Sequence, residues 1–438
     1  MSRIALLASL IYLVILAGVG SLNGAILGLA LPLVLYLVAG LWRAPEELKL
    51  SAQRTLSAER IAPGGTITVD LKVTNHGEFL EQVLLQDPLP PFLEVIEGSA
   101  SRLVNLPAHG SLSWSYTVRG RRGAHVFEGL TASAEDHLGL IVRRAFLDTR
   151  GQILVLPSVA RVRRIAIRPR QTRVYSGVIP AHQGGAGIEF FGLREYQAGD
   201  SPHHINWNVS ARHSDSGRDV AWQRLYSNEY EQERVADVGI VLDGRRKVNE
   251  FGGGRSIFEH SVLATVAVSS ALLSEGNRVG LFIFGKRVKW TTPGYGKYQR
   301  ERIMQDLALA EVGESQNFNS LFIPRRLFPT RSQIIIVSPL SGEDLPLLAG
   351  LRLGGYHVMV ISPDPVSFES SGLGDRPSIK LATRIARLER ELMLRGMRRA
   401  GIQVVDWNVA HSFEQTARAA LSRPPSFLRA IQRGGLRG

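Results

Sequence analysis

Four side chains that bind metals or move protons fall close together: Asp200, His203, His204 and His213. A carboxylate beside imidazoles is the donor set of a metal-dependent hydrolase, in which the ion activates water. Their spacing makes no helical i, i+4 pair and matches no zinc signature. The hydrolase is therefore an alternative, and the expectation is no catalytic residue, no metal and no cofactor. Gly280-Leu-Phe-Ile-Phe-Gly285-Lys286-Arg287 comes close to a phosphate-binding loop. Its four intervening residues are apolar strand formers, and Arg287 stands where a Ser or Thr would hold Mg²⁺. A phosphate cradle needs a flexible loop opening a helix, which this is not. No Gly-x-Ser-x-Gly nucleophile elbow occurs. The chain has no cysteine, which excludes a thiol nucleophile, a Cys-ligated zinc, an iron–sulfur cluster and a disulfide framework.

The densest chemistry is ionic. Residues 190–200 read FFGLREYQAGD and residues 205–212 read INWNVSAR. Arg194, Glu195, Asp200 and Arg212 alternate there with Tyr196 and Trp207. The plainer reading is a half-buried ion network, with Arg forks on Glu195 and Asp200. The sharper one is a partner-binding surface. Gly192, Leu193, Gly199, Ser210 and Ala211 complete the stretch.

The elements that must hold these residues differ along the chain. Residues 1–43 contain two apolar runs, about 4–20 and 24–42, broken by Ser21, Leu22 and Asn23. Runs of 17 to 19 residues are long enough for a bilayer core of about 30 Å, and together they read as a transmembrane hairpin. A cleaved signal peptide would not explain the second run. Arg3 precedes the first run, while Arg43, Lys49 and Arg54 follow the second. The positive-inside bias then places the main domains in the cytoplasm, with the chain a multi-pass protein of the cell membrane. Residues 50–157 carry alternating strands, such as Thr66–Thr74, between Pro/Gly turns. They read as an all-β, immunoglobulin-like sandwich. Residues 158–232 hold six arginines between Arg161 and Arg173 and then the ionic motif, and read as a linker with a signature region. Residues 233–438 alternate apolar strands with helices, among them Phe258–Ser274 and the basic amphipathic Ile379–Arg399. That pattern is a doubly wound, Rossmann-type α/β domain.

Phe191-x-Leu-Arg-Glu-Tyr-x-x-Gly-Asp200 followed by Ile205-x-Trp-x-x-Ser-Ala-Arg212 resembles the signature of the domain-of-unknown-function-58 family. Arg119-Gly120-x-x-Gly123 with Asp136-His-Leu-Gly-Leu140, and the layout of spans and sandwich, extend the resemblance. Ser201 and His204 depart from it, since the family more often has an acid and an Arg there. The resemblance implies a von Willebrand factor A-like C-terminal domain and a MoxR-type AAA+ ATPase as partner. The family's biochemical role is generally unassigned, so the resemblance implies architecture and a partner more than an activity.

A von Willebrand factor A domain holds a metal with Asp-x-Ser-x-Ser, a later Thr and a further Asp; such hard oxygen donors suit Mg²⁺. Here Asp243 is followed by Gly244, Arg245, Arg246 and Lys247. Cations stand at both Ser positions, Ser320 is left to replace the Thr, and Ser338-Pro339-Leu340 supplies no Asp. We expect a degenerate site in which Arg245 or Lys247 pairs with Asp243 or with a partner's acidic group.

The net charge of +13 fits this division. The first 155 residues are neutral overall, so the whole surplus lies beyond them. Aromatics do not interleave with the linker arginines, so stacking on nucleic-acid bases is unsupported. The surplus points to anionic lipid at the inner leaflet and to protein partners. The expectation is a membrane-anchored, cytoplasm-facing scaffold or adaptor that works with the ATPase in assembling or maturing a complex. Lipid or nucleic-acid binding by the basic surface is a further alternative.

Overall fold

The structure is a computed structural model. It describes residues 3–42, 48–135, 142–160, 162, 173–213, 225–249, 251–252, 255–314, 327–330, 332–370, 372–374 and 376–420. The chain forms two compact units, Met1–Leu156 and Pro157–Gly438.

The first unit opens with two apolar helices, α1 (Arg3–Gly20) and α2 (Gly24–Trp42). Between them Leu22 takes a left-handed φ of 49°, and the Asn23 side chain caps the second helix by accepting from the Ala25 N–H at 2.9 Å. The helices approach where Gly18 faces Leu27; a Cβ on Gly18 would meet that side chain at 2.8 Å. Leu6, Leu10, Leu13 and Leu16 of α1, and Leu29, Leu31 and Leu35 of α2, are all exposed. Apolar helices with exposed faces of this kind are consistent with membrane association.

Two sheets follow. One has the order β1-β3-β7-β5, from β1 (Leu50–Leu56), β3 (Thr66–Asn75), β5 (Leu93–Gly98) and β7 (Ser111–Gly120). The other has the order β2-β9-β8-β4-β6, from β2 (Arg60–Ile61), β4 (Leu80–Gln86), β6 (Ser101–Leu106), β8 (Gly123–Glu135) and β9 (Val142–Val155). Their alternate residues, such as Val69, Leu71, Val83, Leu85, Phe127 and Leu130, share one core. Period-2 alternation with one wet face is what an antiparallel sheet requires.

Arg54, one of the cations that follow the second apolar run, is part of the sandwich. It lies in β1 and turns inward, with its Nη2 2.5 Å from Asp87 Oδ1. Tyr116 donates to the other Asp87 oxygen at 2.5 Å. Burial lowers the pKa of Arg54 and raises those of Asp87 and Tyr116. Arg54 also lies 4.5 Å from the Phe127 ring centroid. Lys49, the other expected cation described after α2, is exposed.

The second unit begins with a ribbon where a linker was expected. β10 (Arg173–Glu195) pairs antiparallel with β11 (Tyr226–Val235), with several register shifts. Pro180 and four glycines between Gly177 and Gly187 hide β10 from any alternation rule. Between the strands lie a single 3₁₀ turn, Pro202–His204, and α3 (Trp207–His213). The linker arginines from Arg161 to Arg170 lie outside the described residues.

A six-stranded sheet forms the body of this unit. Its strands are β12 (Asp237–Asp243), β15 (Arg278–Phe284), β16 (Val288–Gly294), β17 (Gln333–Val337), β18 (His357–Pro363) and β19 (Gln403–Trp407). The order is β16-β15-β12-β17-β18-β19, with only β16 antiparallel. A small ladder, β13 (Phe251–Gly252) with β14 (Arg255–Ser256), lies between β12 and α4 (Ile257–Ser274). The other helices are α5 (Gly296–Ala308), α6 (Leu345–Leu353), α7 (Pro365–Ser370), α8 (Pro377–Arg399) and α9 (Phe413–Ala420).

Val238, Ile240 and Leu242 of β12 pack with α4, α5 and α9. Val241, with Ile334 and Ile336 of β17, packs with α6 and α8. Both faces of the sheet are thus covered, which is why its central strands are continuously apolar. α4 is long and apolar enough to cross a membrane, but 72% of it is buried and it is the core helix of this unit. The fold is mixed α/β with N-terminal apolar helices and several sheets.

Candidate functional site

The ionic motif is built on the outer end of the β10–β11 ribbon. Gly192, Leu193, Arg194 and Glu195 stand opposite Glu229, Asn228, Ser227 and Tyr226. The chain then turns back on itself, and Gly199 takes φ +111° at the bend, a conformation that favours glycine. Asp200 ties the bend together. Its Oδ1 accepts from Arg194 Nη2 at 2.6 Å and its Oδ2 from the Gln197 N–H at 3.0 Å. Tyr196 Oη donates to the Asp200 carbonyl at 3.0 Å. The bond from Arg194 holds the Asp200 carboxyl below its ordinary value, and Asp200 raises Arg194. Glu195 is exposed, and Glu229 lies 3.7 Å from Arg194.

The return segment clasps the start of β11 from its other side. The Asn206 N–H donates to the Tyr226 carbonyl at 2.8 Å, and the Tyr226 N–H donates to Ser210 Oγ at 2.9 Å. Asn206 Nδ2 reaches Asn228 Oδ1 at 2.9 Å. Ser210 and Ser227 are buried by this clasp. Leu193 and Trp207 face outward, at 44% and 64% exposure. Ala211 and Arg212 are exposed on α3.

The second assembly lies at the carboxyl end of β12. The sheet order reverses between β12 and β17, and such switch points are where open α/β sheets bind ligands. Asp243 closes β12 and is fully buried. Arg245 folds back onto it, donating from Nε to Oδ1 at 2.9 Å and from Nη2 to Oδ2 at 2.7 Å. The Arg245 backbone N–H adds a bond to Oδ1 at 3.0 Å. Ser338, just past β17, donates to Oδ2 at 2.6 Å. The far side of the guanidinium meets Asp344, with Nη1 at 2.9 Å from Oδ1 and Nη2 at 3.0 Å from Oδ2. Asp344 also accepts from the Ser341 N–H at 2.7 Å.

One buried cation thus bridges two buried carboxylates and joins the loop after β12 to the start of α6. Burial tends to lower the pKa of Arg245, but the bonds to Asp243 and Asp344 outweigh it and hold the group above its ordinary value. Burial pushes Asp243 up, while Arg245 and Ser338 pull it back.

The backbone around Arg245 is close-packed. The Gly244 N–H donates to the Phe284 carbonyl at 2.5 Å, and the Gly313 N–H donates to the Gly244 carbonyl at 3.0 Å. A Cβ on Gly285 would stand 2.2 Å from the Glu311 carbonyl oxygen, and one on Gly313 would stand 2.3 Å from the Lys286 Cα. Three loops therefore lock together with no room for side chains at the crossing. This is also the place of Gly285-Lys286 in the near-phosphate loop. Gly280–Phe284 lies within strand β15, a strand follows rather than a helix, and Lys286 pairs with Glu311 at 2.8 Å.

Residues 192–330 match the family model "Protein of unknown function DUF58". The chain is also similar to the "Uncharacterized protein YeaD" of Bacillus subtilis (strain 168), at 26% identity over 339 residues, 76% of this chain and 79% of the relative. Among solved structures, the CARDB domain of PF1109 from Pyrococcus furiosus covers 25% of this chain and 97% of its own, at 10% identity and a TM-score of 0.19. A non-cellulosomal cohesin from Archaeoglobus fulgidus covers 24% of this chain and 91% of its own, at 18% identity and a TM-score of 0.16. Scores this low carry no argument about fold or function.

The matched span holds residues 192–212 of the ribbon motif together with Asp243 and Arg245, while Ser338 and Asp344 lie beyond it. Of the expected degenerate-site residues, Asp243 and Arg245 come together. Lys247 turns to Glu343 instead, at 2.6 Å on the surface. Ser320 lies outside the described residues. Of the hydrolase set, Asp200 is engaged by Arg194 and Gln197, His203 and His204 are exposed, and the His213 side chain is not among those described. Among the described residues, no group of three His, Asp or Glu side chains could hold a metal ion.

Sequence reasoning missed Asp344 and Ser338 as partners of this site. Ser341-x-x-Asp344 before Leu345-Pro346 carries helix-start spacing, and that signal would have found α6 and its acidic cap.

Proposed function

We propose that this chain is a membrane-anchored scaffold of the domain-of-unknown-function-58 kind, with an immunoglobulin-like sandwich and a von Willebrand factor A-like domain on the cytoplasmic side. It acts by binding protein partners, a MoxR-type AAA+ ATPase among them, in the assembly or maturation of a complex. The observation that carries the reading is the ribbon motif. Its polar groups are spent on one another while Leu193 and Trp207 are left to solvent, which suits recognition more than catalysis. The switch point supports it. There a metal or substrate would have to displace a guanidinium held by two buried carboxylates. The paired apolar helices, with exposed faces throughout, support the anchor.

Affinity capture from membranes tests the reading, using the full chain as bait and an ATP-trapped ATPase. We expect the ATPase to co-purify, and Trp207→Ala to reduce the yield severalfold while leaving the chain in the membrane. Recovery of the same amount of ATPase with Trp207→Ala would remove the motif from the interface. No ATPase at all would remove the partner.

A further inference from the structure

α8 has two apolar faces. One is packed: Leu394 and Met397 enter the core of the second unit, and Arg390 beside them is buried against Asp364 at 3.1 Å and Asp406 at 2.7 Å. The other is bare. Leu381, Ile385, Leu388 and Leu392 are 60%, 49%, 55% and 66% exposed. Spacings of four, three and four residues put them in one line along the helix, on the side away from the core. An ordinary surface helix needs no such second stripe, and a line of large aliphatic side chains in water marks an interaction site.

The charges beside the stripe identify what it meets. At 100° per residue, Lys380, Arg384, Arg387, Arg395 and Arg398 fall along one flank, with Glu391 the acid among them. The opposite flank holds Ser378, Ala382, Glu389 and Gly396. A second copy of α8 laid antiparallel would set the cationic flank against itself, and one laid parallel would offer it Glu389 as the acid. Residues 421–438 carry four arginines and no acid, so the chain's own C-terminal stretch has the wrong sign. An aliphatic line bordered by Lys and Arg has the composition of a helix lying in the interface of an anionic bilayer.

We propose that α8 lies on the membrane surface, with Leu381, Ile385, Leu388 and Leu392 entering the headgroup boundary and the cationic flank meeting anionic lipid. This rests on the anchored reading and deepens it. The N-terminal helices would hold the domain at high effective concentration above the leaflet, so a short stripe suffices.

The absence of cysteine makes the test direct. Leu388→Cys in the full chain takes one environment-sensitive fluorophore, and Glu301→Cys, exposed on α5, serves as the control position. Each labelled chain is reconstituted into phosphatidylcholine vesicles with and without phosphatidylglycerol, with nitroxide-bearing lipid as quencher. The expected result is a blue-shifted, quenched label at 388 in the anionic vesicles only, and an unquenched label at 301. Arg384→Gln and Arg387→Gln are expected to lower the docked fraction's ratio to the free one about fivefold per charge removed. An unquenched label at 388 in anionic vesicles overturns the proposal. So does disulfide cross-linking of Leu388→Cys between copies without lipid quenching, which would give the stripe to a second copy. Carbonate washing reads the anchor separately. A chain stripped by carbonate has lost the anchored reading, whereas the quenching before washing still decides α8.

Discussion

Two of the arginine–aspartate pairs in the second unit have nearly the same contact distance and opposite consequences. Arg194 and Asp200 meet at 2.6 Å on the surface of a turn six residues long in sequence separation. Arg245 and Asp243 meet at 2.7 Å inside the protein, and the same guanidinium reaches Asp344, 99 residues away. The first pair is local and wet, and water replaces it readily when it is lost. The second is buried, and removing Arg245 would leave both Asp243 and Asp344 without their cation. A hydrogen-bond length therefore says little about what a pair is worth; burial and the sequence distance it bridges say more.

The strongest way to break the comparison is Arg245→Met. It leaves Asp243 and Asp344 buried together without a cation, and the expected loss is about 3–5 kcal/mol in urea unfolding. A loss under about 1 kcal/mol would mean that the cluster is not the latch described. Gly285→Ala comes next. Its Cβ has no room beside the Glu311 carbonyl, so the loops around Arg245 must separate, at a cost of about 1–3 kcal/mol. A thermal midpoint equal to wild type would show that the crossing relaxes freely.

Ser210→Ala tests the clasp of the ribbon. It strips the Tyr226 N–H of its acceptor, and we expect about 1 kcal/mol and faster amide exchange at Tyr226. Asp200→Asn has the smallest effect. Global unfolding should not move, while amide exchange at Gln197 should quicken. Titration gives the same result from the other side. The folded-state pKa of Asp200 is depressed, so its contribution is complete above the ordinary aspartate value and is lost as pH falls through the lower folded value. Gln197 exchange, corrected for its intrinsic pH dependence, should therefore be protected at neutral pH and lose protection only in acid. Protection lost while pH is still above the ordinary aspartate value would contradict the assigned bond.

The sequence made one of these pairs visible and half of the other. Arg194 and Asp200 lie within a dense motif, and their partnership needs only a turn. Asp243 and Arg245 also stand close enough to pair by inspection, but Asp344 reaches them only because β17 lies beside β12 in the sheet. The same distinction runs through the fold. β3 and β7 announce themselves by alternation, and β12, β15, β17 and β18 by continuous apolar runs. β10 contains Pro180 and a cluster of glycines, so its pairing with β11 is set by partner rather than by pattern. β16, with Pro293 near its end, was lost for the same reason. Arg54 shows the opposite failure. Its position after an apolar helix looks like topology, and only the packed sandwich reveals Asp87 and Phe127 around it.

Arg245 has a consequence for control of this domain. A cation supplied from solution has an occupancy that follows its concentration, and a chelator can take it away. A guanidinium that is part of the chain has neither property. Its local concentration is set by two peptide units, it stays protonated at any physiological pH, and no change in the ionic milieu can empty its seat. The loop after β12 is therefore held to α6 from the moment the domain folds.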